Sequence, residues 1–72
     1  FEVYAVSGGV VGFVDNVGTF GRVVGIDHGF GLVSVYGRLA DVVNDIDAGD
    51  RVHRSQIIGH AGRSGLARNT QL

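Results

Sequence analysis

Three histidines (His28, His53, His60) and seven carboxylates are the groups in this 72-residue chain that could hold a metal ion or move a proton. Imidazole and carboxylate are the ligands zinc accepts when cysteine is absent, and the chain has no cysteine. None of the histidines falls in a His-x-His, His-x3-His or His-Glu-x-x-His spacing, so each reads first as structural. His28 is expected to order the His28-Gly29-Phe30-Gly31 connection, and His53 and His60 to sit on a polar strand edge. The loop Asp45-x-Asp47-x-Gly49-Asp50 resembles a calcium loop, which needs carboxylates at alternate positions, but the twelfth residue from Asp45 is Gln56 where a bidentate Glu is needed. That loop reads as a solvated turn. Ser7, Ser34, Ser55 and Ser64 lack a nucleophile elbow or a recognisable base. Gly59, Gly62 and Gly65 precede no helix whose N-terminus could hold a phosphate. The residue that stands out is Arg38, which interrupts the apolar run 32–43 just after Tyr36-Gly37. A guanidinium is always charged and cannot act as a base.

The elements that must position these groups read as strands. Residues 1–6 alternate and meet Ser7-Gly8-Gly9, and residues 10–15 resume, which predicts a hairpin. Residues 16–21 read as a glycine-punctuated loop, 22–27 as a third strand, and 28–31 as a four-residue connection into a fourth strand at 32–37. The third and fourth strands are expected to pair antiparallel. Residues 38–43 read as a turn into a short strand or a single helical turn, and 44–52 as a polar loop. The last clear strand is expected around Ile57 and Ile58, with a loop-like tail after Gly62. Val11, Val14, Val24, Ile26, Val33, Val35, Leu39, Ile57 and Ile58 are the expected core.

Composition agrees with short strands and tight turns: Gly is 13 of 72 residues and Pro is absent, against an average Gly content of about 7%. The fold class is therefore all-β, an antiparallel sheet within a barrel or sandwich. Six basic residues, all Arg, against seven acidic ones argue against nucleic acid, which needs a basic patch. No apolar run approaches the ~20 residues of a membrane-spanning helix, and Phe1 does not open a signal sequence. A chain this short exposes a large share of its surface and has no disulfide to compensate. Residues 1–72 are thus expected to be one domain core, a fragment of a larger domain.

Five ordered blocks give a more specific reading: Gly9-Val10-Val11, Ile26-Asp27-His28-Gly29, Val35-Tyr36-Gly37-Arg38-Leu39, Gly49-Asp50-Arg51-Val52 and Gln56-Ile57-Ile58-Gly59. Together they resemble the β-sheet core of the lysostaphin/LytM-type peptidoglycan metallopeptidases, over nearly the whole chain. The resemblance implies a barrel-like sandwich of the duplicated hybrid motif type, an extracytoplasmic location, and zinc-assisted hydrolysis of cell-wall peptide bonds. It also implies that Arg38 stands where the family has a proton-handling His in a Tyr-Ala-His-Leu strand, and that Gln71 stands where it has the first His of His-x-His. Neither can shuttle a proton. No zinc ligand of the family falls within this chain: the His-x3-Asp pair would lie upstream of Phe1 and the remaining His just after Leu72. Zinc is expected only through residues outside the chain.

The resemblance therefore implies a degenerate member, similar to EnvC- and NlpD-type domains that activate cell-wall amidases. Its expected partners are peptidoglycan or such an amidase, and its expected binding groove surrounds Tyr36, Arg38, His60 and Gln71, where Arg38 could pair with a carboxylate. The alternative implied by the same resemblance is an active zinc endopeptidase with a shifted set of groups. Residues 46–62 also resemble biotinyl and lipoyl carriers and the sugar-phosphotransferase IIA barrel. A carrier needs a lysine, and the chain has none; a phosphotransferase would need His60 as phosphoryl acceptor, and the Val35–Leu39 block favours the peptidase family.

Overall fold

The computed structural model describes residues 2–18, 21–43, 46–62, 65 and 67–71. These residues form seven strands: β1 (Glu2–Tyr4), β2 (Gly9–Val17), β3 (Gly21–Gly29), β4 (Leu32–Val42), β5 (Arg51–Val52), β6 (Ile57–Ala61) and β7 (Ala67–Gln71). They make one antiparallel sheet in the order β1-β6-β4-β3-β2-β5, with β7 paired to β4, and its shape is a half-barrel. The all-β expectation holds. Among the described residues no helix is long and apolar enough to cross a membrane.

The β3–β4 hairpin forms as expected, with Val24 opposite Tyr36 and Ile26 opposite Ser34. Its connection is tighter than four residues. Phe30 and Gly31 alone make the turn, both at positive φ (56° and 76°), the backbone of a two-residue turn whose twist matches the flanking strands. Gly31 adopts that conformation without cost, whereas Phe30 does not. Gly25 marks a close approach of another kind. Phe13 stands opposite it, and a Cβ at position 25 would run into the Phe13 ring.

Several expected boundaries are corrected. β1 does not pair with β2: it pairs with β6, while β2 runs to Val17 between β3 and β5. The reason lies just after β1, where the Ala5 N–H donates to Gln56 O (2.9 Å) and Ala5 O accepts from the Ser55 N–H (2.8 Å). Those bonds carry the chain along the 53–56 turn instead of back onto its neighbour. β4 does not break at Gly37-Arg38 but continues to Val42 through a bulge. The tail is not a loop either, because β7 pairs with β4 from Val33↔Gln71 to Gly37↔Ala67. Polar residues on β7 concealed it, and a strand paired on one edge needs no apolar alternation to form its ladder.

The core is Val3, Ala5, Val11, Val24, Ile26, Tyr36, Leu39, Ile46, Val52 and Ile58, with Val14 packed against it. Val33, Val35 and Ile57, expected inside, are only half-buried. Residues 32–36 are apolar in both phases of the strand period, so sequence alone sets no phase. The structure turns Ser34 and Tyr36 inward, both fully buried. Burying each of the larger aliphatic side chains contributes about 1.5–3 kcal/mol.

Candidate functional site

Arg38 owes its place to the bulge. Between the pairs Val24↔Tyr36 and Arg22↔Leu39, two residue steps on β3 oppose three on β4. The extra residue is accommodated by Arg38 at φ 59°. A left-handed backbone costs a residue other than glycine roughly 1–2 kcal/mol, and bulges characteristically re-aim a side chain. The bulge is locked from just beyond β6, where the Gly62 N–H donates to Arg38 O at 2.9 Å. Leu39, next in the chain, is in the core, while Arg38 is exposed. The main chain therefore delivers this guanidinium to the surface.

His28 does not order its own turn. That bond is made by Asp27, whose Oδ1 accepts the Gly29 N–H (2.8 Å). His28 instead lies at the centre of a polar chain: Nδ1 is 2.8 Å from Gly8 O and Nε2 is 2.7 Å from Ser34 Oγ, which is 2.9 Å from Thr70 Oγ1. Gly8 O can only accept, so Nδ1 carries the proton. In the neutral ring Nε2 then accepts from the Ser34 hydroxyl, and Ser34 accepts from Thr70. Four segments of the chain are thereby joined, and the burial of Ser34 is satisfied. A serine held this way is a structural bridge and no nucleophile.

Tyr36 lies beneath the surface, with its hydroxyl oxygen accepting the Val6 N–H at 2.9 Å. His60 is not on a sheet edge, because β6 runs between β1 and β4 and places it opposite both Glu2 and Asp41. Its Nδ1 is 2.7 Å from Asp41 Oδ1, and both side chains are about half exposed (45% and 55%). Gln71 stands opposite Val33. Position 38 is five residues from position 33 along β4, about 16 Å at ~3.3 Å per residue, so the register holds Arg38 and Gln71 apart. Positions 33 and 36 have opposite parity, which puts positions 71 and 36 on opposite faces of the sheet. Arg38 and His60 do share an end of the sheet, through Leu39↔Ala61 and the Gly62 bond.

The donor set does not fit zinc on its own: among the described residues no three His, Cys, Asp or Glu side chains lie together as metal ligands. Asp45 of the acidic loop and Ser64 lie outside the described residues. Asp50 Oδ2 accepts the Asp47 N–H (2.9 Å), and the Asp50 N–H donates to Asp47 O (3.0 Å), so that carboxylate closes a turn. At β1 the Tyr4 hydroxyl donates to Glu2 Oε1 (2.8 Å), and this bond with the nearby negative charge holds its pKa above the ordinary 10.0.

Sequence reasoning missed a cleft of about 420 Å³ bounded by Glu2–Val6, Tyr36, Arg54, Ser55 and Arg68. Arg54 and Ser55 had no motif to mark them, and Arg68 fell in the expected loop. The one available signal was the polar pair His53 and Gln56 at a spacing of three, which closes the turn between them.

The whole chain, residues 1–72, matches the model of a family described as Peptidase family M23. No curated protein matches it. Among solved structures, it is similar to Helicobacter pylori Csd3 at 32% identity and TM-score 0.80, over 96% of this chain and 19% of that one. It is also similar to a chain of the SpoIIQ–SpoIIIAH pore-forming complex at 26% identity and TM-score 0.86, over 99% of this chain and 49% of the other. A third is a mutant of the catalytic domain of the prophage-encoded M23 protein EnpA from Enterococcus faecalis, at 28% identity and TM-score 0.75, over 96% of this chain and 55% of that one. The chain thus spans about a fifth of Csd3 and about half of the other two.

Proposed function

Because the chain belongs to peptidase family M23, we propose that it is a non-catalytic member that works by binding in the cell envelope, outside the cytoplasm, with peptidoglycan or a cell-wall amidase as partner. The observation that carries this reading is Arg38. The resemblance puts a proton-handling His there, and a guanidinium can neither take nor give a proton near neutral pH. Gln71 supports it, since an amide can hydrogen-bond but not shuttle. A binding role through protein contacts is in keeping with the similarity to a chain of the SpoIIQ–SpoIIIAH complex. Arg38, exposed beside His60 at one end of the sheet, is the residue to contact a partner's carboxylate, and position 71 extends the same proposal along β7.

The second reading is an active zinc endopeptidase cleaving peptidoglycan cross-bridges. It is favoured by the similarity to the catalytic domain of EnpA and by the His60–Asp41 pair, an imidazole oriented by a carboxylate as a general base is. Its zinc would need ligands beyond the described residues. Zymography of the full-length protein on peptidoglycan, with and without chelator, separates the two. No clearing together with retention on purified sacculi or an amidase is the expected outcome. Clearing that a chelator abolishes would overturn the non-catalytic reading.

A further inference from the structure

We infer that the cleft beside β1 binds a short extended peptide through its free carboxylate, with Arg54 and Arg68 as the two recognition groups. The choice of a peptide ligand rests on the proposed envelope-binding role; the choice of a carboxylate rests on the cleft itself. Arg54 and Arg68 line the same cavity, and among the described residues neither guanidinium has an ion-pair or hydrogen-bond partner. Single exposed arginines are ordinary. Two that converge on one concavity of about 420 Å³ are not, since that volume lies within the ~300–1,000 Å³ range of small-ligand sites.

The cleft is built on a fixed frame. Arg54 and Ser55 occupy the tip of a turn closed by the Gln56 N–H on His53 O (3.0 Å) and the His53 N–H on Gln56 Oε1 (2.9 Å). Ser55 itself is held at φ 65°, a left-handed conformation that costs of order 1 kcal/mol and recurs at binding sites. From the other wall Arg68 stands opposite Tyr36, whose hydroxyl is fixed by the Val6 N–H. A guanidinium fork matches a carboxylate in two parallel bonds, and this frame limits the entropy lost on forming them.

The cleft runs along β1 from Ala5, the residue bonded to Ser55, to Glu2, three residues or about 10 Å of strand at ~3.3 Å per residue. A tripeptide has that span, and its carboxylate would meet Arg54 and Arg68.

The test is calorimetric titration of the full-length protein with tri-alanine as the free acid and as its C-terminal amide. The inference expects the amide to bind at least about tenfold more weakly. Arg54→Ala and Arg68→Ala should each weaken the free acid about tenfold, while Arg51→Ala, outside the cleft, leaves it unchanged. Equal binding of acid and amide, no binding of either, or full competition by inorganic phosphate would overturn it; the amide comparison holds even if a variant fails to fold. Zymography keeps the two proposals apart. Equal binding of acid and amide by a protein that shows no clearing and is retained on sacculi or an amidase overturns the cleft and leaves the envelope role standing. Preferential binding of the free acid by a protein whose clearing a chelator abolishes does the reverse.

Discussion

Replacing Tyr36 with Phe should cost this domain about 1–2 kcal/mol, although it removes a single oxygen. The ring is fully buried and stays in place, so the apolar contacts are kept and no cavity larger than a hydroxyl opens. What disappears is the 2.9 Å bond from the Val6 N–H, which joins β4 to the segment leaving β1, 30 residues away in sequence. An amide left without a partner in a buried setting costs roughly 1–3 kcal/mol; Val6 is half-buried, so water recovers part of that and the lower half of the range applies. For a domain of this size about 1 kcal/mol lowers Tm by roughly 4–8 °C. Calorimetry should therefore show a drop of about 5–15 °C, and native-state hydrogen exchange should show the Val6 amide losing protection while amides in β3 keep theirs. A Tm unchanged within about 2 °C, with Val6 still protected, would refute the argument that this hydroxyl anchors β1.

Phe30→Asn should stabilise the protein by about 1 kcal/mol, because Phe30 sits at φ 56° and is fully exposed, while asparagine tolerates that backbone; the readout is a rise in the urea midpoint. Ser34→Ala should destabilise by about 1–3 kcal/mol, since it strips partners from both His28 and Thr70, and chemical denaturation would measure it. Glu2→Gln should bring the raised Tyr4 pKa back towards 10.0, because the hydrogen bond to the carboxylate and its charge both favour the protonated phenol. Ultraviolet titration of the phenolate checks the direction: tyrosinate must appear at lower pH in the variant.

Much of the fold was legible because the rules that wrote it are local. The β3–β4 hairpin is signalled by a glycine-rich turn between β-branched runs, and Val11, Val24, Ile26, Leu39 and Ile58 lie inside as expected. The five blocks around Arg38 were legible too, since ordered motifs survive in the chain whatever the register. The partners of β1 and β7 were not. A strand's pairing depends on backbone bonds between residues far apart in sequence, and neither Ala5 nor Thr70 advertises its partner.

The sequence by itself determined the all-β class, the main hairpin, the family likeness and the presence at position 38 of a permanently charged residue that cannot act as a base, because composition, turn chemistry and residue identity need no third dimension. Only the tertiary structure decided that Arg38 rides on a left-handed bulge, that Ser34 and Tyr36 face inward, and that Arg54 and Arg68 converge on one cleft. The physical reason is register. With apolar residues in both phases of β4, a shift of one residue exchanges core for surface, and that choice is made by the hydroxyl bonds of Ser34 and Tyr36 to segments which only folding brings near.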